Sequence, residues 1–78
     1  MGGRDTFGWL ETDLIGELLA EAHPERDPVR VGFVELKQLV QGLPGFKEEP
    51  GHPVNEKILE RIQAAWIEDR EDRREEEE

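Results

Sequence analysis

Apolar residues recur at helical spacing in three separate stretches of the chain, and proline and glycine punctuate the segments between them. In the first stretch Leu10, Leu14, Ile15, Leu18, Leu19 and Ala22 mark out one face of a helix. The spacing predicts a helix over Thr12–Ala22, with Thr12 as N-cap and Asp13 set favourably against the helix dipole. His23-Pro24 ends it, because the residue before a proline is pushed out of the α region. Phe33, Leu36, Leu39, Val40 and Leu43 form a second face and predict a helix over Val34–Gln41, closed at Gly42 or Gly45 beside Pro44. Ile58, Leu59, Ile62, Ala65 and Trp66 form a third and predict a helix over Asn55–Arg70, with Asn55 as its N-cap.

The connections are less regular. Asp27-Pro28 predicts a turn, or one helical turn with proline in its first position. Val29 and Val31, alternating with Arg30 and Gly32, suggest a short extended piece. The Pro- and Gly-rich segment from Pro44 to Val54 is a loop whose length marks it as functional or mobile. Three helices without a strong strand predict an all-α domain, its core built from the Leu/Ile stripes with Trp9, Phe33, Phe46 and Trp66. The domain spans residues 7–69, between a flexible extension, 1–6, and an acidic tail, 70–78. The third helix can continue into that tail, where Arg73 forms an i,i+4 pair with Asp69, and the four final Glu are expected to fray.

Charge changes this picture from fold to function. The chain carries a net −10, of which −5 lies in Ile67–Glu78, with eight acids against three bases. The body is therefore acidic as well, which argues against binding a phosphate backbone and for a basic protein surface or a divalent cation. A core of this size stabilises by only about 3–5 kcal/mol. With no Cys in the chain, neither disulfides nor thiolate metal sites add to that. No apolar run suggests a signal peptide or a membrane span, so a cytoplasmic monomer is expected.

The chain contains no Cys, Ser or Tyr, and its two histidines, His23 and His52, each border a proline in a loop. It lacks G-x-G-x-x-G, the P-loop and H-E-x-x-H, so no catalytic role is expected. The carboxylates carry the remaining chemistry. Asp13, Glu17 and Glu21 stand four residues apart on one helical face, where each like-charge pair costs about 0.2–0.5 kcal/mol. A docking stripe for a positive partner and a solvated acidic face give the same pattern. Glu48-Glu49 is a second cluster; hard oxygen ligands suit Mg²⁺, Ca²⁺, Mn²⁺ or Fe²⁺, but no EF-hand spacing is present.

One arrangement of short motifs is more specific. Trp9 is followed by Ile15-Gly16-Glu17, Pro24, Asp27-Pro28, Val31-x-Phe33, Glu35 and Gln38. Leu43-Pro44-Gly45-Phe46, Glu48-Glu49-Pro50 and Asn55-Glu56-Lys57-Ile58-Leu59-Glu60-x-Ile62 come next, and Trp66 closes the series. In order and spacing these pieces, from Phe7 to Asp69, resemble the IscX family of small acidic proteins of bacterial iron–sulfur cluster assembly. The resemblance implies a modified winged-helix-like fold and a regulatory adaptor of the cysteine desulfurase that supplies sulfur. It further implies docking on a basic desulfurase surface that frataxin and ferredoxin also use, no tightly bound cofactor, and weak Fe²⁺ or Fe³⁺ binding through exposed carboxylates. On that reading Glu11, Asp13, Glu17, Glu21, Asp27 and Glu35 contact the partner, and Glu17, Glu21, Asp27, Glu48 and Glu49 attract iron. Lys47, the longer approach Gly51-His52-Pro53-Val54 and the acidic tail depart from the family pattern.

Overall fold

The computed structural model describes residues 6–48 and 54–77, with side chains as far as Arg73. Residues 1–5 and 49–53, including Glu49 and His52, lie outside the described residues, as does Glu78. Three α-helices follow in order: α1, Thr12–Ala22; α2, Phe33–Gln41; and α3, Glu56–Glu77. A 3-10 turn, Pro28–Arg30, joins α1 to α2. The fold is all-α, and among the described residues the extended pairing is limited to one parallel bridge between Phe7 and Phe46.

That bridge closes the chain on itself. Phe7 N–H donates to the Gly45 carbonyl (3.0 Å) and Lys47 N–H to the Phe7 carbonyl (2.8 Å). Gly45 makes the turn possible, with φ 88°, a left-handed conformation that other residues adopt only with strain. Phe46 then packs edge-on against Trp9 and Phe7, with ring centroids 4.8 and 5.8 Å away. Trp9 and Trp66 are both buried to 2% exposure or less, at the centre of a core with Ile15, Leu19, Leu36, Val40 and Ile62. Their indole N–H groups have no acceptor among the described residues.

The rotation of α1 differs from the apolar pattern. Leu10 is 64% exposed and Leu14 37%, and Ala22 is exposed as well; the buried positions are Ile15, Gly16, Leu19 and Ala20. The cause is the crossing with α3, the helix against which α1 chiefly packs. A Cβ on Gly16 would stand 2.6 Å from the Ala65 Cβ and 2.7 Å from the Trp66 backbone nitrogen. The two backbones meet there, so Gly16 rather than Leu14 faces the neighbouring helix.

The helix ends carry smaller corrections. Glu11, not Thr12, holds the N-cap position of α1, and it makes no side-chain cap. A turn closed by Glu11 N–H on the Gly8 carbonyl (3.2 Å) carries the chain into the helix one residue early. Asn55 does cap α3, its side chain accepting from Ile58 N–H at 2.9 Å. The Pro28–Arg30 segment is a helical turn, not an extended piece. Pro28 begins it, Asp27 accepts from Val29 N–H (3.1 Å), and Val29 is left 68% exposed. Gln63 of α3 holds the turn by donating to the Pro28 carbonyl at 2.8 Å.

The α1–α3 crossing generates a stability prediction. Gly16→Ala is expected to destabilise the domain by about 1–3 kcal/mol, since the added methyl has no flexible neighbour to displace. Gly42→Ala serves as control: its Cβ would meet only ordinary contacts, nearest 3.6 Å, with φ −87°, so it should be neutral or stabilise by up to about 1 kcal/mol. Urea midpoints compare the two, and equal midpoints would contradict the close crossing.

Candidate functional site

The acidic row of α1 does not stand alone. Asp13 and Glu17 line a groove of about 220 Å³ with Glu68, Asp69 and Asp72 of α3. Ala65 forms its floor, so the small residues at the helix crossing are what bring the two sets of carboxylates together. A wider hollow of about 400 Å³ continues past Asp13 toward Thr12, Arg61 and Glu68. From the sequence, Asp69 stands out only as a partner of Arg73, and Glu68 and Asp72 only as part of the acidic charge of Ile67–Glu78. Their three- and four-residue spacing, the same that aligns Asp13, Glu17 and Glu21, is the signal that places them on one face.

One cation joins the two helices beside the groove. The Arg73 Nε donates to Asp69 Oδ2 (2.6 Å), and its Nη2 lies 3.4 Å from Glu21 Oε2. The hydrogen bond to Asp69, reinforced by the charges of Asp69 and Glu21, raises the Arg73 pKa further above its ordinary value. Arg73 lies beyond the expected helix end at Arg70. Its two contacts account for the continuation of α3: one supports the helix at i,i+4, and the other ties it back to α1.

The other expected contact residues are dispersed. Glu11 is exposed at the start of α1. Asp27 caps the 3-10 turn and lies 3.9 Å from Arg30. Glu35, on α2, is paired with Arg26. Glu48 accepts from Gln41 Nε2 at 3.4 Å. Among the described residues no group of three or more Asp, Glu or His side chains converges as a metal site. Their helices include none long and apolar enough to cross a membrane. His23 is half-buried at the end of α1, where its backbone N–H donates to the Leu19 carbonyl (2.9 Å).

The described geometry therefore offers a carboxylate-lined groove between α1 and α3, suited to cationic groups and stabilised internally by Arg73. Its like charges repel across the crossing. Removing one of them, Glu68→Gln, is expected to raise the thermal midpoint at low salt, and Arg73→Gln to lower it. Both shifts should shrink in 0.5 M NaCl as screening shortens the range of the interaction to a few ångström. Melting curves at two salt concentrations check this, and salt-independent shifts would assign the effects to packing.

Comparison with known proteins adds two findings. The family described as iron-sulphur cluster assembly matches residues 7–71. An uncharacterized protein of Pseudomonas aeruginosa is 47% identical over 62 residues, covering 80% of this chain and 92% of that protein.

Proposed function

The chain belongs to the iron–sulphur cluster assembly family, the IscX family, and from that membership we propose that it is an acidic adaptor that docks on a cysteine desulfurase. The observation that carries this reading is the groove in which Asp13 and Glu17 of α1 face Glu68, Asp69 and Asp72 of α3. Five carboxylates at one crossing form a concave negative surface, complementary to Arg and Lys side chains on a basic partner. Such complementarity acts mainly on encounter, so association is fast at low salt and slows as salt is added.

Glu21 belongs to the same row, but Arg73 already engages it. A partner arginine reaching Glu21 would compete with that contact. Asp27 and Glu35 stand apart as paired or capping groups and contribute to the general negative field. On this reading the protein transfers no sulfur itself; it occupies a basic surface and changes what else binds there. Frataxin and ferredoxin, expected to use the same desulfurase surface, are then competitors.

Iron binding takes second place in this proposal. Carboxylates around an open groove attract Fe²⁺ or Mn²⁺ without the ordered supporting contacts that make a site tight and selective. Cation binding is expected to be weak and to fade with salt, and to compete with the protein partner because both use the same charges.

Binding kinetics with the cognate desulfurase test the proposal. Asp13→Lys with Glu17→Lys is expected to abolish binding, since like-charge juxtaposition at an interface costs several kcal/mol. Both side chains are exposed, so circular dichroism should be unchanged. Parent-like binding by this variant would place the interface elsewhere. In a parallel titration, saturating Mn²⁺ should weaken desulfurase binding at low salt; a tight, salt-insensitive Mn²⁺ site would overturn the open-carboxylate reading.

A further inference from the structure

The exposed side of α1 carries two bands rather than one. At 100° per residue, Asp13, Glu17 and Glu21 form a band beside the α3 crossing, and Leu14, Leu18 and Ala22 form the next band round, on the side away from α3. The core positions Ile15 and Leu19 come after these. Leu14 is 37% exposed, Leu18 is half-buried and Ala22 is exposed. The apolar band ends in a hollow of about 240 Å³, lined by Leu18, Ala22, Leu43 and Pro44, with Glu21 on its rim. Leu43 and Pro44 come from the turn after α2, which Gly45 and the Phe7–Phe46 bridge hold in place. The hollow is thus built by two elements, and its apolar floor adjoins the acidic row directly.

We propose that this hollow receives one large apolar side chain of the basic partner, while the acidic row holds Arg or Lys side chains that flank it. The proposal rests on the adaptor reading and deepens it by naming what the partner must present. Charge complementarity selects the occupant. Glu21 lines the hollow, and Glu17 and Asp13 continue its row up α1 toward the groove, so an apolar residue entering the hollow is favoured when cations stand beside it on the acidic side. A second copy of this chain, also at net −10, brings the wrong sign. The arrangement has the anatomy of a stable interface, an apolar anchor in a pocket with charged groups at the rim. It also divides the labour. The acidic row governs the rate of encounter, and the hollow governs how long the complex lasts.

The test uses the full chain and the cognate desulfurase. Ala22→Gln puts a polar side chain at the mouth of the hollow, and Leu14→Gln interrupts the band above it; both positions are exposed, and denaturant midpoints verify folding. Each variant is expected to dissociate about tenfold faster, with association rate and its salt dependence unchanged. Asp13→Lys with Glu17→Lys should instead act on association. If both apolar variants dissociate as the parent does while the charge reversal abolishes binding, the hollow is not part of the interface and this proposal is overturned, with the adaptor reading intact. If the charge reversal binds as the parent does, the adaptor reading fails first. Sedimentation of the chain alone closes the remaining route: a dimer that Ala22→Gln converts to monomer would assign the hollow to a second copy and overturn the proposal.

Discussion

The backbones of α1 and α3 touch where Gly16 meets Ala65, with no room for a methyl group between them. That approach sets the rotation of α1, and the rotation sets everything α1 displays. With Gly16 and Ala20 turned to the neighbouring helix, Ile15 and Leu19 enter the core, and Leu14 and Ala22 are left outside. The same contact brings Asp13 and Glu17 within one groove of Glu68, Asp69 and Asp72. A bulkier pair would part the helices and separate the carboxylates. Core packing and surface charge are therefore not independent in this protein; one small-residue contact controls both.

Bringing like charges together opposes folding, and the chain answers with cations placed at the margins. Arg73 joins Asp69 to Glu21, Arg26 joins the end of the first connection to Glu35, and Arg30 stands near Asp27. These pairs are at the surface, where each contributes little to stability, about 0–1 kcal/mol. Their more important effect is positional. They hold Glu21, Asp27 and Glu35 in local contacts and leave the Asp13–Glu17 end of the row facing the groove.

Much of this was legible in the sequence. The three helices, the Asn55 cap, the buried tryptophans and the family follow from periodicity, capping chemistry and the order of short motifs. The phase of α1 was not legible, because an apolar pattern counts Leu10 and Leu14 as core and gives Gly16 no weight. Where a helix packs through its backbone, the smallest residue marks the interface and the largest ones shift to the edge. Charge composition hid the second half of the groove: Glu68 and Asp69 fall within the predicted helix and Asp72 just beyond it, but the three merge into an acidic run until the face they share is known to lie against α1. The length of α3 follows from a pair visible in the sequence, Asp69 with Arg73, and from a contact to Glu21 that is 52 positions away and has no local signature.

The pairing of α1 with α3 also bears on how the chain reaches its native state. Small helical proteins owe their speed to contacts between neighbours in sequence. Here the neighbouring helices α1 and α2 touch little, and the main interface joins residues around 16 to residues around 65. The Phe7–Phe46 bridge is a long-range closure of the same kind. No consecutive pair of helices can bury Trp9 and Trp66 together, so neither half of the chain holds a core that would persist without the other. Folding must close a loop spanning most of the domain before burial repays the lost chain entropy. Assembly is then a single concerted event, and a nascent chain gains its structure only once α3 has been synthesised.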